Sequence, residues 1–248
     1  MSNFAARAGA LAKEFKPLAV AFLVFLVIRI FLFQPFTIPS DSEEPTLRIG
    51  DYVIVSKSSY GWSRHSFPFS LAPFGGRILG QAPRRGDVIV FKLPRDGRTD
   101  YVKRLIGLPG DRVQLIHGVV FLNGAPLRQQ SLGPTTDPDD PSRPVIALRE
   151  TLPDGRSHVI LREATEREGD TTGVYRVPEG QYFFLGDNRD NSLDSRWPRA
   201  VGVGFVPAEN LEGKAELIAF AWRGGASLFK PWTWVSRFDP GRMFHPVA

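Results

Sequence analysis

The stretch DYVKRLIGLPGDRVQLIHGVVFLNG, residues 100–124, decides the fold class of this chain of 248 residues. It contains three short runs of apolar and β-branched residues, and the turn sequences LPGD and NG punctuate them. Such runs, bounded by Gly, Pro, Asn and Asp, are typical of strands joined by tight turns. The stretch therefore predicts consecutive antiparallel strands.

Similar strand-like runs lie on both sides of this stretch. No long amphipathic helical pattern follows residue 40, and the counts of 24 Gly and 21 Pro favour many turns. We expect a mainly β protein built on coiled antiparallel sheets. The runs are DYVIVSK (51–57), GDVIVFKL (86–93), QYFFLGD (181–187) and AELIAFAW (215–222).

Residues 125–178 interrupt this series. They are rich in Pro, Asp and Arg, and they include TTDPDDPSRP and the turn LPDGRS. A segment of this length and composition indicates an inserted smaller β subdomain that is partly flexible. Residues 37–124 and 179–248 would then form the main β domain.

Two aromatic segments can be interpreted in two ways. Residues 58–85 and the tail FKPWTWVSRFDPGRMFHPVA (229–248) can each pack on the protein or lie against lipid. The aromatic residues singled out in the first segment are Trp62, Phe67, Phe69 and Phe74.

The run PLAVAFLVFLVIRIFLF (17–33) has Arg29 as its only charge. A helix of this length covers roughly 25 Å, and Gln34, Pro35 and Phe36 can extend it toward the ~30 Å of a bilayer core. A cleaved signal peptide would end in small residues and a buried helix would have a polar face, and neither occurs. We therefore expect a single transmembrane anchor over residues 17–36.

The flanking charges predict the orientation of this anchor. Three basic residues, Arg7, Lys13 and Lys16, precede it, and three acidic residues follow it within 41–44. The positive-inside rule then places residues 1–16 in the cytoplasm and the β domain on the outer side of the membrane.

The composition excludes several classes of function. Lys and Arg are scattered although the net charge is +5, so no nucleic-acid partner is expected. The absence of cysteine excludes disulfides, thiol nucleophiles and Cys-type zinc sites. The histidines lack metal-ligand spacing, so we expect neither a metal nor a cofactor. They are His65, His117, His158 and His245.

The turn IPSDSEEPTL (38–47) contains two serines, Ser40 and Ser42, directly after the apolar segment. A serine hydroxyl becomes a good nucleophile only when a base removes its proton. No histidine lies in a suitable motif, so the candidate base is a lysine that burial keeps uncharged, and Lys103 is the candidate. The alternative is that the serines are only turn formers.

Alternation along the strand over 100–107 does not decide whether Lys103 is buried. Lys103 shares one face with Tyr101, and Arg104 shares the other with Val102, so each face has one base. The alternative that Lys103 is a solvent-exposed strand residue therefore remains open.

A third polar segment, GDNRDNSLDSRW (186–197), follows an apolar strand. Its short polar side chains are typical of a rigid turn held by bonds to the backbone. Ser192, Asp194 and Arg196 stand at alternate positions in it. The alternative is an ordinary charged surface loop.

Taken in order behind an apolar segment, these motifs resemble those of bacterial type I signal peptidases. The resemblance covers residues from about 20 to 220 and rests on three segments. They are IPSDSEEPTLRIGDYVIV (38–55), RRGDVIVFKLP (84–94) with DYVKRLIGLPGD (100–111), and GDNRDNSLDSRW (186–197).

The resemblance implies a role for each matching residue. Ser42 would be the nucleophile and Lys103 the general base, Ser40 with the Ser42 N–H would form the oxyanion hole, and Ser192 would orient the lysine. The polar framework would be Asp187, Asp194, Arg196 and Arg104, the last as partner of Asp187. The substrate pocket would include Ile38, Pro39, Glu43, Tyr101 and Val102.

The resemblance also implies a fold and an activity. The fold would be a coiled antiparallel β domain with an inserted second domain. The activity would be that of a membrane-bound serine endopeptidase, which cleaves signal peptides from exported pre-proteins after Ala-x-Ala-like sites on the periplasmic side. Its partners would be signal peptides and the lipid bilayer.

Glu43 departs from the family pattern, which usually has methionine after the nucleophile. An unpaired carboxylate in an apolar pocket is unfavourable, and an anion beside the lysine opposes its deprotonation. Three interpretations follow: Glu43 is exposed, the pocket prefers another residue, or the chain is a weak or inactive homologue that binds exported chains. A self-cleaving Ser–Lys repressor would need a DNA-binding domain where this chain has its apolar segment.

Overall fold

A computed structural model describes residues 2–67, 70, 72–223 and 231–247 of the protein, with side chains from residue 15 onward. Phe69 lies outside the described residues. The elements in chain order are α1 (Ser2–Phe31), β1 (Phe33–Thr37), β2 (Asp51–Ser56), β3 (Trp62–Ser63), β4 (Arg77–Ile78), β5 (Val88–Lys92), β6 (Asp100–Gly107), β7 (Arg112–Ile116), β8 (Val119–Leu122), β9 (Ala125–Pro126), β10 (Arg128–Thr136), β11 (Pro144–Thr151), β12 (Ser157–Arg162), β13 (Tyr175–Arg176), β14 (Gln181–Leu185), β15 (Val206–Pro207), β16 (Leu211–Ala221), α2 (Trp232–Ser236) and β17 (His245–Pro246).

The main sheet has the strand order β1-β2-β16-β5-β6-β14-β15, with β17 also paired to β16. All these pairings are antiparallel. The long strand β16 shifts register against both of its main neighbours, β2 and β5. Such bulges bend a strand and increase its twist, which coils the sheet. The predicted mainly β fold with a coiled antiparallel sheet is confirmed.

The apolar core lies on both faces of this sheet. Alternate residues of β5 belong to two different clusters of buried apolar side chains. Val88 and Val90 pack in one, and Ile89 and Phe91 pack in the other. Successive side chains of a strand point to opposite faces, so β5 is buried on both sides. This explains why its sequence is a continuous apolar run.

Two smaller sheets, β10-β11-β12 and β13-β7-β8-β9, come between β6 and β14 in the chain. The pairing of Leu122 with Ala125 crosses the predicted boundary at 124/125, which therefore falls inside a sheet. Val113 of β7 packs in one buried cluster with Phe183 of β14. The smaller sheets are thus joined to the main sheet by shared apolar contacts.

Helix α1 ends at Phe31, before the end of the predicted anchor segment 17–36. Gln34, Pro35 and Phe36 do not extend the helix, because they pair with β2 as part of β1. Pro35 fits there because β1 is an edge strand, where a missing N–H is tolerated. Within the part of the chain that the structure describes, no helix is both long enough and apolar enough to cross a membrane.

The first aromatic segment packs on the end of α1. The Phe31 ring lies edge-to-face with Trp62 and Phe67, at centroid distances of 6.2 and 5.7 Å. Of the C-terminal tail, β17 joins the main sheet, whereas Trp232 and Val235 are exposed.

Candidate active site

The serine turn connects β1 to β2 and is anchored by apolar residues at both ends. Ile38 and Leu47 are buried in the core, and the Ile38 N–H donates to the carbonyl of Asp51 at 2.9 Å. Between them the Glu44 N–H donates to the carbonyl of Asp41 at 3.1 Å. This tight turn places Ser42, which is 9% exposed, at the edge of the core.

Lys103 lies on β6, between β5 and β14, and only 3% of its surface is exposed. Its Nζ donates hydrogen bonds to Ser42 Oγ and, at 2.8 Å, to the carbonyl of Val102. Ser40 Oγ is 3.4 Å from Ser42 Oγ. The solvated-lysine interpretation is therefore wrong, and the structure brings Ser40, Ser42 and Lys103 together.

Arg104, the next residue of β6, is buried on the opposite side. Its Nε and Nη2 donate to the two carboxylate oxygens of Asp187 at 2.8 and 2.7 Å. Thr46 Oγ1 donates to the same carboxylate at 2.6 Å. Burial alone would raise the pKa of Asp187, but Arg104 and Thr46 hold it below its ordinary value. This charged pair ties β6 to the polar loop after β14.

The loop 186–197 is bonded directly to the serine turn. The Asn188 N–H donates to the carbonyl of Ser42 at 3.2 Å, and Asn191 Nδ2 donates to Asp41 Oδ2 at 2.5 Å. A side chain at Gly186 would lie 2.5 Å from the Ser42 carbonyl oxygen, so only glycine fits there. The loop therefore fixes the backbone of the nucleophile candidate.

The loop is stiffened by a second buried pair. Arg196 Nε and Nη2 each lie 2.9 Å from an oxygen of Asp194, and the Gly186 N–H donates to the same carboxylate at 3.1 Å. Burial alone would raise the pKa of Asp194, but Arg196 and these N–H groups hold it below its ordinary value. Asp194 and Arg196 thus occupy the predicted framework.

Ser192 lines the same cavity as Ser42 and Lys103 and is 8% exposed. Its Oγ has no hydrogen-bond partner among the described residues. The hydrogen bond to Lys103 that the resemblance implies is therefore not made here, although the residue lines the same cavity.

This cavity has a volume of about 520 Å³. Of the predicted pocket residues, Pro39, Tyr101 and Val102 line it, whereas Ile38 packs in the core and Glu43 lies behind the wall. Sequence reasoning missed several of its other lining residues, among them Thr99, Asp100, Asp190, Leu193 and Trp197.

Glu43 is fully buried, which excludes the interpretation that it is exposed. Its Oε1 lies 3.7 Å from Lys103 Nζ, and neither carboxyl oxygen has a hydrogen-bond partner among the described residues. Burial, together with the nearby charge of Asp187, raises the pKa of Glu43 well above its ordinary value. The tight turn between the buried residues on either side directs this side chain inward.

Glu44 is also fully buried, on the side of the turn that meets the smaller sheets. Burial and the neighbouring carboxyl groups of Asp139 and Asp137 raise its pKa to about 10. Asn188 Nδ2 donates to Asp137 Oδ2 at 3.0 Å, which links this region to the loop.

Residues of the predicted insertion support the same loop, and the sequence motifs did not indicate them. Glu150 on β11 makes a two-fold salt bridge with the buried Arg189, and His158 Nε2 lies 3.4 Å from Glu150 Oε1. Arg189 Nε also donates to the carbonyl of Gly186 at 3.2 Å. No local signal could reveal a pair separated by 39 positions. No cluster of metal-ligating side chains occurs among the described residues.

Comparison with known proteins gives consistent matches. The sequence profile of a family described as signal peptidase, peptidase S26, matches residues 11–220. A signal peptidase I from Rickettsia typhi is 42% identical over 84% of this chain and 80% of its own length. The enzyme of that name from Rickettsia prowazekii is 41% identical over the same shares. A crystal structure of a signal peptidase I from Enterococcus faecalis aligns with 54% of this chain and 97% of its own, at 29% identity and a TM-score of 0.32.

Proposed function

The chain belongs to the signal peptidase family, peptidase S26, and is a hydrolase; from that premise we propose that it is a membrane-bound serine endopeptidase. It would remove N-terminal signal peptides from exported pre-proteins. The observation that supports this most directly is the buried contact between Lys103 Nζ and Ser42 Oγ. A buried amine next to a hydroxyl is the arrangement that a lysine base needs.

In the proposed reaction, uncharged Lys103 accepts the proton of Ser42, and the oxygen attacks the carbonyl carbon of the scissile bond. Lys103 then returns the proton to the leaving amine, which completes the acylation step. A water molecule, activated by the same amine, hydrolyses the acyl-enzyme and restores Ser42.

The oxyanion would be stabilised by the Ser42 N–H and by Ser40, whose hydroxyl lies 3.4 Å from Ser42 Oγ. Donors fixed in this way contribute ~2.7–4 kcal/mol each in other acyl-transfer enzymes. Ser192 lines the cavity and its hydroxyl has no partner among the described residues, so in the proposed reaction it would turn to bond Lys103 or a substrate.

The proposed cleavage site is small-x-small. Pro39, Tyr101 and Trp197 line the same cavity as Ser42, and bulky rings in its wall would favour small substrate side chains. The backbone of residues 100–103 has no strand partner on the β14 side among the described residues, since that pairing begins at Arg104. An extended substrate can pair with this open edge.

The proposed membrane attachment is supported by the surface of α1. Large apolar side chains such as Phe22, Leu23 and Phe25 are more than half exposed along it. Contiguous exposed apolar surface is typical of a membrane contact. With the basic residues before it and the acidic turn after it, the catalytic domain would lie on the outer side of the bacterial inner membrane, with the N-terminus in the cytoplasm.

The test is cleavage of a pre-protein with an Ala-x-Ala site by the purified full chain. Ser42→Ala and Lys103→Ala should each lower the rate by at least about 10⁴-fold. Ser131→Ala and Lys214→Ala are matched controls outside the site and should cleave normally. Cleavage that survives both site changes would disprove the assignment. An unmodified chain that binds but never cleaves would favour a membrane-tethered binding module instead.

A further inference from the structure

A second cavity, of about 830 Å³, lies where the last turns of α1 meet the main sheet. None of its lining residues lines the cavity at Ser42. Two hydrogen bonds hold the helix end in place: the Lys57 N–H donates to the carbonyl of Leu32 at 2.8 Å, and Trp62 Nε1 donates to that of Phe31 at 2.9 Å. The helix therefore forms a fixed wall of this cavity.

The wall of this cavity has an excess of positive charge. Five of its side chains are cationic, against two carboxylates. Such an excess in a concave site attracts anions. The cations are Arg29, Lys57, Arg64, Lys92 and Arg98.

Both carboxylates have a partner of their own, although Glu212 Oε2 has none among the described residues. Glu212 Oε1 lies 3.3 Å from Lys92 Nζ, and Asp96 accepts hydrogen bonds from Thr99 Oγ1 at 2.6 Å and from the Arg98 N–H at 2.8 Å. Within the described part of the chain, Arg29 has no carboxylate within 4.0 Å, and the same holds for the other two arginines of the wall. Cations remain available to a ligand.

Lys57 is a second, independent sign of a missing anion. It is 3% exposed, and its Nζ donates to two neutral acceptors, Gln34 Oε1 at 3.0 Å and the carbonyl of Ser66 at 2.5 Å. An ammonium has three donors, so one has no acceptor among the described residues. Burial lowers the pKa of Lys57, and the charge of Glu212 offsets this only in part. Buried charges are normally paired.

We propose that Lys57, Arg29 and Arg64 bind a phosphate group in this cavity, on a phospholipid headgroup or on a free phosphate. Phosphate oxygens accept several charge-assisted hydrogen bonds at once, and arginine can bind them in pairs. The cavity lies directly below the exposed apolar side chains of α1, which is the level of lipid phosphates if the helix enters a bilayer. The binding does not depend on the catalytic assignment.

The experiment is a calorimetric titration of the purified full chain in uncharged detergent micelles. The probes are dioctanoyl phosphatidic acid, inorganic phosphate and, as the phosphate-free lipid, dioctanoylglycerol. We expect the phosphatidic acid to bind and the diacylglycerol not to bind. If inorganic phosphate binds as tightly as the phosphatidic acid, the ligand is a free phosphate. If inorganic phosphate binds more weakly than the phosphatidic acid, the ligand is a lipid headgroup. Both results support the site.

Loss of one cation should weaken binding of the phosphatidic acid by about ten- to a hundredfold. The variants are Lys57→Met, Arg29→Gln and Arg64→Gln, and the last two change exposed side chains, so they test the site even if Lys57→Met does not fold. Arg149→Gln removes an exposed cation on β11 and should bind normally. The proposal is overturned if no phosphate probe binds, if the two arginine variants bind like the unmodified chain, or if Arg149→Gln weakens binding equally.

Discussion

Glu43 and Lys103 are both buried and lie side by side, so their charges act on each other. An ionised carboxylate 3.7 Å from the amine favours the charged form of the lysine, which cannot act as a base. A protonated Glu43 has no such effect, and burial raises its pKa well above the ordinary value. The protonation state of Glu43 therefore influences whether Lys103 can act as the base in the proposed reaction.

We expect Glu43→Met to keep or raise the cleavage rate at neutral pH, by up to about tenfold, because it removes the anion next to the base. The measurement is the pH dependence of kcat/KM on a pre-protein substrate. Glu43→Gln keeps the shape of the side chain without its charge and should behave similarly. A large loss of activity in both variants would show that the carboxyl group contributes to catalysis.

Glu44 should make stability depend on pH. Its pKa is about 10 in the folded chain against an ordinary 4.5, so the folded state binds the extra proton between these values. Its contribution to stability is complete below the unfolded pKa and is lost as pH rises toward the folded pKa.

Urea unfolding of Glu44→Gln should therefore show a weaker fall in the free energy of unfolding between about pH 5 and about pH 9 than the unmodified chain. Glu179→Gln, at an exposed position, should not alter the pH dependence. Identical slopes for Glu44→Gln and the unmodified chain would contradict a raised pKa for Glu44.

At the scale of elements, the smaller sheets hold the loop of the proposed active site. The Glu150–Arg189 salt bridge joins β11 to the loop 186–197, and the main chain of that loop bonds to Ser42. The sheet pairings let us infer that the inserted unit begins after β6 and ends before β14. On this view the insertion supports the site and is more than a surface addition.

Glu150→Gln should lower the free energy of unfolding by about 3–5 kcal/mol, because it leaves the buried Arg189 without its anion. It should also slow cleavage, since Arg189 bonds the Gly186 carbonyl beside the serine turn. Chemical denaturation and kcat measure the two effects. Glu150→Leu combined with Arg189→Met should recover much of the stability. A change below about 1 kcal/mol, like that expected for exposed Glu168→Gln, would show that the pair does not hold the loop.

At the scale of the whole molecule, α1 differs from the rest of the chain, because its apolar side chains face outward instead of packing on the sheets. The proposed anchor predicts that Leu23→Asp with Phe25→Asp will release the protein from membranes, since each buried charge costs ~2.5–3.5 kcal/mol near the centre of a bilayer. The measurement is the fraction that stays with membranes after an alkaline carbonate wash. Val174→Asp, at an exposed position on the body, is the control. Unchanged retention of the double variant would argue against the anchor.

Strand positions were predictable because they depend on neighbours only a few residues apart. The runs at 51–57, 100–107 and 181–187 all became strands of the main sheet, and the turn residues between runs marked their ends. The extent of α1 was not predictable in the same way. Residues 33–37 do not continue the helix, because their backbone pairs with β2 instead.

The sequence by itself determined the β class and the order of the motifs, and the family resemblance predicted the pairing of Ser42 with Lys103. Only the tertiary structure decided which base of β6 meets the serine, because Lys103 and Arg104 are equivalent in the local alternation. It also decided that Glu43 is buried and that Glu150 reaches Arg189. Both depend on how distant segments pack when the sheet coils, and the free energy of that packing is not encoded in any short stretch of the chain.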